Sequence, residues 1–137
     1  MKIHLIKTYD GQYRPANPET EIWSAKQKVG EVIHANFTKA RNYEFHKKYF
    51  GMLNTAFQNQ EQYPTLENLR EAVQVQAGYC ETIYYLDGTT ALKAMSISFG
   101  KMKQEEFEKI YSGVLNIILT HFGFGEEFEL ELIMNFG

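Results

Sequence analysis

The dipeptide Asp87-Gly88, set between two runs that alternate in polarity, constrains this chain more than any other feature. Asp-Gly supplies the backbone angles that a tight turn between right-twisted strands needs, so residues 79–86 and 89–97 are expected to pair as an antiparallel hairpin. A lone hairpin is marginal in water and has to be covered. Residues 104–121 offer that cover. They place Phe107, Ile110, Tyr111, Val114 and Ile118 on one helical face, with Glu105, Glu106, Glu108 and Lys109 mostly elsewhere. This describes an amphipathic helix of about five turns, expected to lie on the sheet.

The remaining elements follow from the same two periodicities. Residues 2–7 alternate around Ile3 and Leu5 before Gly11, a short first strand and a turn. Pro15 and Pro18 bracket an extended connection. A short helix is expected from Pro18 to Lys28, with Gly30 as its stop, and a second strand over residues 32–37. Asn42 is expected to cap a helix whose stripe is Phe45, Tyr49, Met52, Leu53 and Ala56. Thr65 should cap another, ending near Ala77 and Gly78. Residues 126–136 suit a last helix, although Phe128, Leu130 and Leu132 also alternate like a strand. In Tyr84-Tyr85 one ring should point to the core and one outward. Together these predict an α+β fold in one domain, residues 1–137, with a small, mostly antiparallel sheet containing a hairpin, covered by three to five helices.

Several functional classes lack support. The single cysteine, Cys80, excludes an internal disulfide and a cysteine zinc cluster, and it suits a reducing compartment such as the cytoplasm. A small thiol in a strand reads as packing rather than as a nucleophile. The histidines at 4, 34, 46 and 121 are not spaced to share a helical face, so no metal is expected. Neither a phosphate-cradling glycine loop nor Gly-x-Ser-x-Gly occurs, and the carboxylates at 105–108 and 126–131 read as solvated helix starts. No enzyme activity and no cofactor are expected. No run approaches the length needed to cross a bilayer.

Charge is uneven although its net value is only −3. Residues 1–60 hold nine Lys and Arg against five Asp and Glu, and residues 61–137 hold five against twelve. Within the basic part, residues 39–50 combine cations, rings and a helix start. Lys39, Arg41, Lys47 and Lys48 can neutralise phosphates, first-turn amides can donate to anionic oxygens, and Tyr43 or His46 can meet unpaired bases. The competing reading of these six residues is a solvated basic face over an aromatic core stripe. High aromatic content, 15%, fits a ring-rich core or a contact surface, and leaves room for a homodimer.

Five strings carry a wider resemblance: residues 32–37 (VIHANF), 39–50 (KARNYEFHKKYF), 76–79 (QAGY), 96–102 (SISFGKM) and 106–111 (EFEKIY). In this order the chain resembles the tailed-phage and prophage family designated domain of unknown function 1367. Longer members carry a helical insertion where this chain has only residues 58–67. The resemblance implies a phage protein acting in a bacterial cell. Arg41, Asn42, Lys47, Phe50 and Leu53 are also similar in spacing to a motif of the NinB recombination-mediator family, with Phe45 in place of that motif's Gln. That likeness implies single-stranded DNA.

Two functions are therefore expected in competition. One is a non-enzymatic accessory of phage replication or recombination that binds single-stranded nucleic acid. The other is a small interaction protein that binds and inhibits a host defence protein, its acidic second half imitating DNA.

Overall fold

The computed structural model describes residues 2–40 and 42–136. The chain forms two compact units, residues 1–40 and 41–137.

The first unit is a small hairpin followed by a helix. Strand β1 (Leu5–Lys7) pairs antiparallel with β2 (Tyr13–Pro15), matching Leu5 to Pro15, Ile6 to Arg14 and Lys7 to Tyr13. The expected extended connection at Pro15 is thus a strand end. Proline is tolerated there because a two-stranded sheet is all edge. Helix α1 (Pro18–Ala25) starts at Asn17, whose side chain accepts from the Thr20 amide at 2.9 Å. The Thr20 hydroxyl accepts from the His4 amide, also at 2.9 Å. α1 stops a turn short of Lys28, because the Lys26 amide tightens onto the Trp23 carbonyl. Thr20 is the one buried residue among the described residues of this unit.

Residues 31–40 carry no regular secondary structure and are exposed, which corrects the strand expected over 32–37. Alternation of Ile33, Ala35 and Phe37 with their neighbours makes this segment able to pair. β1 and β2 satisfy each other, however, and leave it without a ladder partner. Periodicity reports compatibility with a strand, not the presence of a neighbour.

The second unit holds the core. Helix α2 (Tyr43–Gln58) runs through its middle and packs against α3 (Leu66–Gln76), α4 (Gln104–Phe122) and α5 (Glu126–Phe136). Its expected stripe is the buried one: Tyr49, Met52, Leu53 and Ala56 are fully enclosed, with Phe45 packed at the margin. Phe45 stacks on Phe107 of α4, rings 4.4 Å apart and nearly parallel. Phe99, Tyr49 and Tyr111 extend the same ring cluster. Much of the aromatic excess is therefore core.

Strands β3 (Cys80–Tyr84) and β4 (Thr90–Ala94) form the expected hairpin. Its loop differs in one residue from a two-residue Asp-Gly turn. Tyr84 pairs with Thr90, and the Tyr85 amide donates to the Thr89 carbonyl, so Leu86-Asp87-Gly88 form the tip. Gly88 takes the left-handed angle (φ 89°) that ends a three-residue loop, and Asp87 accepts from the Thr89 amide and hydroxyl. The cover also differs: α3 packs on β4, while α4 packs on α2 and α3. With one helix against two strands, neither ring of Tyr84-Tyr85 enters the core. Tyr84 is 79% and Tyr85 50% exposed.

Polar side chains of α3 fix the hairpin to the helices, and the Glu71 carboxylate accepts from the Ala94 amide of β4 at 2.8 Å. Gln74 of α3 is buried; it accepts from the Tyr49 hydroxyl at 2.9 Å and from Arg70 at 3.0 Å. Its amide donates to the Met95 carbonyl at 2.9 Å and, at longer range, to that of Tyr79. Burial pushes the Tyr49 hydroxyl well above its ordinary range, so it remains a donor.

Candidate nucleic-acid interface

Asn42 occupies the position before α2, where its side chain was expected to accept from the first-turn amides. It makes no such bond. Its backbone is left-handed (φ 56°, ψ 38°), a conformation that asparagine tolerates better than most residues. The side-chain amide turns away and donates to the carbonyls of Phe99 (2.9 Å) and Met102 (3.0 Å). These belong to the single 3-10 turn Phe99–Lys101 and the residue after it. A residue read as a helix cap is instead a tie between chain segments about sixty positions apart.

That tie composes the site. Met102 lies between Lys101 and Lys103, both exposed, and Lys103 is the residue from which α4 starts. The N-terminal end of α4 and two lysines are therefore brought to the beginning of α2, whose own exposed cation is Lys47. Among the described residues no ion pair engages Lys47, Lys101 or Lys103. Carboxylates are close in sequence, with Glu44 one turn before Lys47 and Glu105 and Glu106 in the first turn of α4. They suit the positive ends of the helices and reduce the local charge.

The rings form a ladder along α2 at spacings of three and four residues. Tyr43 stacks on His46 (6.0 Å, 15° between planes), and His46 lies 4.5 Å from Phe50. Phe99 meets the imidazole edge-on at 5.8 Å. Tyr43, His46 and Phe50 are all partly buried. Stacked rings present a flat, stiff surface that needs little ordering to meet a base.

The other expected residues are distributed differently. Lys48 points away from Lys47; its ammonium lies 5.2 Å from the centre of the Tyr111 ring and borders a cleft shared with Glu129. Lys39 is exposed in the first unit. Arg41 lies outside the described residues. Tyr43, His46 and Lys47 thus share the first turns of α2, to whose start the segment bearing Lys101 and Lys103 is tied. Those two were visible as cations just before a helix, but nothing in their spacing connects them to residue 42.

Other chemistry is sparse. Among the described residues no three His, Cys, Asp or Glu side chains gather where they could hold a metal ion. The Cys80 thiol is half-buried and contacts the Val75 carbonyl at 3.9 Å. Among the described residues no helix is long and apolar enough to cross a membrane.

Helices packed on helices with two small two-stranded sheets define an α+β protein. The family model described as protein of unknown function DUF1367 matches residues 1–63 and 58–132, and the chain belongs to that family. No curated protein and no solved structure matches it.

Proposed function

We propose that this protein is a non-enzymatic accessory that binds single-stranded nucleic acid, serving phage replication or recombination. The observation that carries the reading is the pair of Asn42 hydrogen bonds, which joins Lys101 and Lys103 to the helix start bearing Tyr43, His46 and Lys47. Lysines on two segments can hold successive phosphates, helix N-termini donate amides, and Tyr43 or His46 would meet an unpaired base. Such contacts carry no base-edge readout, so sequence preference should be weak.

Fluorescence anisotropy of a labelled oligo-dT tests it. Three lysine contacts give affinity that falls with salt at a log-log slope of roughly −2, from about −0.7 per phosphate. A flat salt response, or no binding at low salt, overturns the proposal. An equal response from duplex DNA would remove the role of the rings.

A further inference from the structure

We infer that the outer face of α5 docks a cationic amphipathic helix of a partner protein, at a surface separate from the nucleic-acid interface. Of the described α5 side chains only Phe128 and Leu132 are buried; Leu130, Ile133 and Met134 are 56%, 65% and 85% exposed. At 100° per residue these three make one stripe opposite the core-facing pair. Glu129 borders the stripe on one side, Glu127 and Glu131 on the other, and Glu126 stands at its start. None of these four carboxylates enters an ion pair among the described residues. A helix that needed only solubility on this face would not carry three large apolar side chains there.

The face continues into a cleft of about 170 Å³ between α2, α4 and α5, lined by Lys48, Tyr111, Leu115, Glu129, Leu132 and Ile133. That volume falls well below the roughly 300 Å³ at which small-molecule sites begin, and an open recess of this size, apolar except for Lys48 and Glu129, suits a single side chain acting as an anchor. Charge selects the occupant. Two copies pairing through α5 would set Glu126, Glu127, Glu129 and Glu131 against their own counterparts, a like-charge contact that opposes association. A nucleic acid is refused for the same reason. A partner helix with an aliphatic stripe flanked by lysine or arginine satisfies both the apolar face and the carboxylates. Eleven residues of α5 match about three turns of such a partner.

The test uses the full chain and two labelled fourteen-residue helical peptides of equal hydrophobicity, one of Leu and Lys and one of Leu and Glu, read by anisotropy. The Leu/Lys peptide should bind at least tenfold more tightly than the Leu/Glu peptide. The doubly substituted variant Leu130→Gln/Ile133→Gln, at exposed positions that leave the core intact, should weaken it at least tenfold. Glu127→Gln/Glu131→Gln should weaken it severalfold and flatten its salt dependence, and oligo-dT affinity should not fall in either variant. Equal binding of the two peptides, or no effect of the Leu130/Ile133 pair, overturns the inference. So does a dimer, seen by light scattering, that Leu130→Gln/Ile133→Gln dissociates, because a second copy would then occupy the face.

Discussion

Replacing Gln74 by Met removes the clamp that joins Tyr49 of α2 to α3 and the hairpin, keeps most of its volume and leaves the Glu71–Ala94 hydrogen bond in place. The Tyr49 hydroxyl is then left as a donor inside a residue with no exposed surface, and the Met95 carbonyl loses its partner at 2.9 Å. A buried donor without an acceptor costs about 1–3 kcal/mol, and the lost hydrogen bond to the Met95 carbonyl about 1 more. The variant should lose about 2–4 kcal/mol. Tyr49→Phe removes the same hydrogen bond from the other end, but the Gln74 oxygen keeps Arg70 at 3.0 Å, so its cost should be only about 0.5–1.5 kcal/mol. Combining the two substitutions deletes the orphaned hydroxyl, so the double variant should be more stable than the sum of losses predicts by about 1–2 kcal/mol. Urea unfolding followed by far-UV circular dichroism reads these values; with a slope near 2 kcal/mol/M, Gln74→Met should lower the midpoint by about 1–2 M. Additive losses, or Tyr49→Phe costing as much as Gln74→Met, would refute the clamp.

Asn42→Ala should cost about 1–3 kcal/mol in the same assay, from two lost hydrogen bonds and an alanine held at φ 56°, and should weaken oligo-dT binding as well. Phe107→Ala should cost about 3–5 kcal/mol and lower the thermal midpoint by more than 10 °C, because it empties the buried position against Phe45 and Phe99. Arg70 holds the Glu67 carboxyl below its ordinary 4.5 through hydrogen bonds at 3.1 and 3.2 Å. A carboxylate with a lowered folded pKa stabilises above its unfolded value and loses that contribution as pH falls through the lower one. Glu67→Gln should therefore destabilise near neutral pH, by under about 1 kcal/mol because the Glu67 side chain is 70% exposed, and the difference from the unsubstituted protein should close in acid denaturation series below pH 4.

What the sequence discloses about this protein depends on how locally each feature is determined. Helix α2 was legible because Tyr49, Met52, Leu53 and Ala56 repeat at helical spacing, and that stripe is the buried one. Helix α3 was announced by Thr65, whose side chain does accept from the Asn68 amide. The hairpin was legible from Asp87-Gly88, but not its register, because Gly88 serves a two-residue and a three-residue loop equally well. Residues 32–37 misled because alternation reveals only that a segment can pair. Asn42 misled for a related reason: its amide had a choice between the helix amides beside it and carbonyls 57 and 60 positions away. Lys47 could be placed from the helical wheel alone, and adjacent Lys48 turns toward Tyr111 by that same geometry. Lys101 and Lys103 were invisible as members of the site, since only tertiary structure brings their loop to α2.

The joining of the two lysine-bearing segments by Asn42 is tested most directly by the salt slope of oligo-dT binding in Lys101→Ala/Lys103→Ala. Removing two of three contacts should reduce the slope from roughly −2 to roughly −0.7 while leaving the unfolding midpoint in place. An unchanged slope would mean that residues 101 and 103 touch no phosphate, and the composite interface would be wrong.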